Sequence, residues 1–82
     1  MDITNMLNSF DRIVGKKQVL RKMSPETFRC VIVAEDADIF IKNEVVALAE
    51  LCGVEVIFFP TMEKLGELCG IDVKATVVGL MK

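Results

Sequence analysis

"FRCVIVAEDADIFIKNEVVALAELCGVEVIFF", residues 28–59, decides the fold. Its opening segment, 28–34, is apolar almost without interruption. A strand with one wet face would alternate, so this one is expected to be covered on both faces. "EDAD" then turns the chain, and Asp36 or Asp38 offers a carboxylate suited to capping a helix start. Over roughly 39–52, Val45, Val46, Leu48, Ala49 and Cys52 recur at helical spacing and mark a core-facing stripe. Gly53 follows, the residue that most easily takes the left-handed conformation ending a helix. "VEVIFF" is the next strand, and Pro60 ends it.

The flanks repeat the alternation. "MDITNMLNSFDR" sets Ile3, Met6, Leu7 and Phe10 at helical spacing, and "RIVG" reads as a brief strand closed by Gly15. "KKQVLRKM" predicts a helix of about two turns, stopped by Ser24-Pro25. Thr61 caps a short helix through Leu65 and Leu68 to Cys69, closed by Gly70, and "ATVVGLM", 75–81, is the last strand. Strands alternating with helices imply a largely parallel sheet covered on both faces. The expected class is α/β: a three-layer α/β/α sandwich with a mixed, roughly four-stranded central sheet, formed by a single domain over 1–82.

Composition narrows the function. At 82 residues and 52% hydrophobic, the chain can build one core and little more. No apolar run approaches the roughly 18 residues of a membrane span. The N-terminus "MDITNML" is acidic where a secretory signal is basic, so a cytoplasmic location is expected. Cys30, Cys52 and Cys69 are odd in number, widely spaced and set among apolar residues, which fits reduced core thiols better than disulfides or zinc ligands. There is no histidine base and no Gly-rich phosphate loop, and the serines lack partners. The expectation is therefore no enzyme, no cofactor and no small-molecule substrate. Glu35, Asp36 and Asp38 could hold a hard cation, but helix capping accounts for them more simply, so no metal is expected.

Charge is distributed unevenly. Between Arg12 and Arg29 lie six basic residues and one acid, a balance of +5; elsewhere four basic and eleven acidic residues give −7, and the two recover the net −2. That asymmetry points to a polyanionic partner approaching one face. Lys16 and Lys17 fall in the first turn of their helix, where the dipole disfavours positive charge, and Gly15 brings no side-chain cap. A phosphate would reverse both defects. Gln18 lies one turn before Lys22 and can donate to and accept from a base edge, with Arg21 on the same short helix. The few aromatics, five Phe, mostly lie in core segments, so stacking platforms are not evident. A solvated lysine face is the plain alternative.

"ELCGVEV" at 50–56 is echoed by "ELCGIDV" at 67–73, read as one helix-end solution used twice. The first copy runs into a buried strand. The second runs into Lys74, so "GIDVK" reads as an exposed turn presenting Ile71 and Val73, a candidate contact surface.

Taken in order, "GKKQVLRK", "VIVAEDAD", "VVALAELCGVEV" and "EKLGELCGIDV" resemble the kink-turn RNA-binding family that includes ribosomal proteins of the L-seven-Ae and L-thirty-e types. The likeness runs over nearly the whole chain and is greatest to the small bacterial, YbxF-like members. It implies a monomeric, ribosomal-protein-like partner of structured RNA, clamping stems that bend sharply beside tandem sheared G·A pairs. By position it makes Gly15 the close-approach residue and puts Lys16, Lys17, Gln18, Arg21 and Lys22 in the RNA-binding set. Lys17-Gln18 stand where the family has Asn-Glu, a departure that removes a carboxylate and shifts weight from base discrimination to phosphate contact. Ile71, Asp72 and Val73 align with the segment that packs on the nucleotide flipped out of the kink, and Lys74 replaces a small residue there. Asp38 resembles an acidic position that accepts a hydrogen bond from that nucleotide. The alternative from another class is a protein-interaction adaptor docking a partner through the 71–74 loop.

Overall fold

The computed structural model of the chain describes residues 11–70 and 75–82. Its elements are β1 (Arg12–Val14), α1 (Lys16–Arg21), β2 (Phe28–Ala34), α2 (Ile39–Cys52), β3 (Glu55–Phe59), α3 (Met62–Leu68) and β4 (Val77–Met81). The helix expected within 1–10 and the apolar turn at 71–74 lie outside the described residues.

The strands form one sheet in the order β1-β4-β2-β3. β2 and β3 pair in parallel through the α2 crossover, with Val31 opposite Val56 and Val33 opposite Phe58. β4 is antiparallel to both β1 and β2, so the sheet is mixed and not largely parallel. The reason lies in α3. Ala75 donates its amide to Met62 O at 3.1 Å, so by residue 75 the chain is back at the first turn of that helix. Met62 stands just past the end of β3, and a strand launched from there can only run back against its neighbours.

The strand pleat sends alternate residues to two cores. Cys30, Ile32 and Ala34 face α3, in a cluster with Leu65, Cys69, Val78 and Leu80. Val31 and Val33 face α1 and α2, in a cluster with Val19, Val45, Ala49 and Val77. Helices therefore cover both faces, the α/β/α sandwich expected. α2 spans the expected 39–52; of the two cap candidates Asp38 serves, and Gly53 takes φ +74°. Of the expected core stripe, Val45 and Ala49 are buried, while Val46, Leu48 and Cys52 are half-buried.

Phe28 breaks the alternation. It belongs with Val31 and Val33, although simple pleating would group it with Cys30. The register shifts between Phe28 and Cys30, which makes Arg29 the extra residue of a β-bulge and turns Phe28 over to the other face. There its ring lies on Gly79: a Cβ built at Gly79 would meet Phe28 Cε1 at 2.5 Å. Phe28 is fully buried and has little space into which to retreat. Gly79→Ala is accordingly expected to destabilise the fold by about 1–3 kcal/mol, read as a lowered denaturant midpoint with unchanged m-value. An unaltered midpoint would show that this contact is not tight.

Candidate nucleic-acid interface

β1, β2 and β3 all end at one edge of the sheet, and β4 begins there. That edge collects Gly15, the 35–38 loop, Thr61 and Ala75. Gly15 N donates to Val77 O at 2.9 Å, Ala34 N to Thr76 O at 2.9 Å and Glu35 N to Phe59 O at 2.7 Å, so the whole edge is laced by backbone bonds. Carboxyl ends of strands are where open α/β sheets present their ligand sites. Gly15 and Asp38, far apart in sequence, are brought to this one rim.

Gly15 stands at φ +112°, in the region that favours glycine, and a Cβ there would meet nothing within 4 Å among the described residues. The demand for glycine is thus one of backbone conformation, on a side open to approach. α1 is six residues long, without an acidic residue in its first turn or a side-chain cap. Val19 is buried, while Lys17, Gln18, Arg21 and Lys22 are all exposed. At spacings of three and four along a helix these four make one continuous surface. Among the described residues no carboxylate pairs with Lys17, Arg21 or Lys22.

Lys16 differs. Its Nζ lies 3.4 Å from Glu44 Oε1 on α2, and both side chains are partly exposed. The two lysines therefore do not form one cradle. Lys17 belongs to the open basic surface, and Lys16 is drawn across to the neighbouring helix. The cationic centre of the site shifts from 16–17 to 17, 21 and 22, with neutral Gln18 among them.

Two of the acidic side chains at the rim, Asp36 and Asp38, are engaged by backbone amides. Asp38 Oδ1 accepts from Phe40 N at 2.8 Å and caps α2. Asp36 Oδ1 accepts from Met62 N at 2.8 Å and caps the other helix, α3, beside Thr61, whose hydroxyl accepts from Lys64 N at 3.1 Å. Lys42 Nζ donates to Glu35 O at 2.8 Å, fastening the loop to α2. Arg12 Nη2 reaches Cys69 O at 2.7 Å and holds the end of α3, where positive charge suits the dipole. The backbone on either side of 71–74 is thereby fixed at Cys69 and at Ala75. Ile71, Asp72, Val73 and Lys74 themselves lie outside the described residues.

Two features escaped the sequence. Glu44 gave no signal, because its meeting with Lys16 depends on how α1 packs against α2. Phe40 is 79% exposed, and Leu51 on the same helix is 85% exposed. Five residues separate Phe40 from buried Val45, which at about 100° per residue turns it some 140° away from the core. An exposed apolar side chain therefore stands beside Asp38 at the rim.

The cysteines are free: Cys30 and Cys69 are buried and Cys52 half-buried. Burial pushes the Cys30 thiol up, helped by Glu55 and opposed by Arg29; burial also pushes up Cys69, against the pull of Arg12. Both thiols stay protonated at neutral pH and are poor nucleophiles. Because the folded state holds these protons more tightly than the unfolded one, their contribution to stability is complete below the ordinary thiol range of about pH 8.5 and fades as pH rises through the folded values. In native protein at neutral pH, iodoacetamide is expected to modify Cys52 first, with Cys30 and Cys69 reacting only on unfolding. Mass spectrometry of timed samples checks the order, and early labelling of either buried thiol would contradict it. Among the described residues no helix is long and apolar enough to cross a membrane.

Compared with known proteins, residues 6–82 match the ribosomal protein L7Ae/L30e/S12e/Gadd45 family. An RNA-binding protein of Halalkalibacterium halodurans is 35% identical over 82 residues, the full length of both chains. RNA-binding protein YbxF of Geobacillus stearothermophilus is likewise 35% identical over 82 residues and the whole of both chains. Among solved structures, the Giardia lamblia 15.5kD RNA binding protein superposes with a TM-score of 0.83 at 25% identity, covering 96% of this chain and 67% of that one.

Proposed function

The chain belongs to the ribosomal protein L7Ae/L30e/S12e/Gadd45 family, and from that premise we propose that it is a non-enzymatic, monomeric RNA-binding protein that recognises and stabilises kink-turns in structured RNA. The observation that carries the reading is the match, end to end, to relatives named RNA-binding proteins. The rim supports it chemically. Lys17, Arg21 and Lys22, which pair with no carboxylate among the described residues, offer positive charge to phosphates, Gln18 offers donor and acceptor to a base edge, and Gly15 leaves the approach open among those residues. Lys16, Asp38, Ile71, Asp72, Val73 and Lys74 complete the proposed set, with 71–74 serving the flipped nucleotide. Free thiols at Cys30, Cys52 and Cys69 support a reducing, cytoplasmic setting.

The mechanism needs no chemistry. Contacts available only in the bent conformer lower its free energy relative to the straight one and shift the RNA between them. A protein-interaction adaptor is the rival, and exposed Phe40 and Leu51 give it some footing. A salt titration separates the two. Engaging phosphates through lysine and arginine makes log K fall with log salt by about 0.9 for each phosphate neutralised, so a slope near −3 is expected from Lys17, Arg21 and Lys22. A slope near zero, or no RNA binding, would favour the adaptor.

A further inference from the structure

We infer that Glu44 sets the affinity of the basic rim by holding Lys16 in reserve; the inference rests on the RNA-binding reading above. Lys16 Nζ and Glu44 Oε1 lie 3.4 Å apart, with 37% and 51% of the respective side chains exposed. Both backbones are fixed. Gly15, the residue before Lys16, donates its amide to Val77 O at 2.9 Å, and Val45, the residue after Glu44, is fully buried. The pair thus bridges two anchored helices, and only the side chains need ordering to form it.

Its strength is modest, as for any ion pair open to water. That is what a reserve requires. Lys17, Arg21 and Lys22 have no carboxylate partner among the described residues, so phosphate meets them without competition. At Lys16 a phosphate must displace Glu44 and then remain beside that carboxylate. Lys16 is therefore partly neutralised by a carboxylate from outside the basic segment. Because phosphate must exchange one ion pair for another at Lys16, the gain from binding a polyanion there is reduced, which restrains indiscriminate binding.

The test is a cycle of four proteins: wild type, Glu44→Gln, Lys16→Met and the double variant. Each is titrated by fluorescence anisotropy with a kink-turn stem over a range of salt. Glu44→Gln is expected to tighten binding by about two- to fivefold, the range an exposed pair allows, and to steepen the salt slope by up to about 0.9 as Lys16 comes free. In the Lys16→Met background the same substitution is expected to do little. Glu44 is exposed, so thermal melts of all four should nearly coincide.

Unchanged affinity in Glu44→Gln, with wild type still binding, overturns the inference and leaves the reading of function intact. An equal gain with and without Lys16 also overturns it, since Glu44 would then act by plain repulsion of phosphate. Failure of both wild type and Glu44→Gln to bind RNA overturns the reading of function and this inference together.

Discussion

Leu65→Ala is expected to lower the stability of the fold by about 2–5 kcal/mol. α3 is seven residues long and has two buried positions, Leu65 and Gly66, of which only Leu65 carries a side chain into the core. That side chain is fully buried in the cluster of Cys30, Ile32, Val78 and Leu80, which holds one face of the sheet together. Truncation removes the transfer free energy of the lost atoms and leaves a cavity that the strands cannot close. A domain of this size has about 4–12 kcal/mol in hand, so the loss is a large fraction of it. Thermal unfolding should move down by more than about 8 °C, at 4–8 °C per kcal/mol. A shift under 4 °C would mean that α3 is held chiefly by its caps and by Arg12.

Gln18→Ala and Arg21→Ala are each expected to weaken kink-turn binding by about 1–3 kcal/mol, with melting temperatures unchanged. Both side chains are exposed on α1 and neither serves as a cap or packs in a core cluster. Their substitution therefore reports on recognition and not on folding. Lys17→Ala should behave otherwise. Loss of a phosphate contact weakens all RNA alike and lowers the salt slope by about one unit. Lys16→Ala should fall short of that, because Glu44 already occupies part of its charge. If all these variants changed melting temperature and none changed affinity, the roles assigned to this surface would be wrong.

How much of this was legible in the sequence depended on range. The extent of α2 was readable because its signals are local: a carboxylate at Asp36 or Asp38, apolar spacing to Cys52, a glycine at 53 suited to the left-handed conformation. Strand β3 and helix α3 were bounded by Pro60, Thr61 and Gly70 for the same reason. Sheet order was not legible, since nothing local in "ATVVGLM" says that β4 slots between β1 and β2. The bulge at Arg29 and the need for glycine at 79 were hidden likewise, each depending on a strand some fifty residues away. At the rim, the concentration of positive charge stood out from the sequence, but its division did not. Lys16 and Lys17 are neighbours in the chain, yet a helix sends them different ways, and only the packing of α2 reveals that one meets Glu44.

The central claim is that this chain clamps a bent RNA through the exposed face of α1. The most direct measurement is a gel shift at moderate salt comparing a kink-turn stem with the same stem carrying disrupted G·A pairs. The intact stem is expected to bind at least about tenfold more tightly, a difference of about 1.4 kcal/mol or more. Equal affinity for the two stems would contradict that claim and leave a basic surface that holds any polyanion.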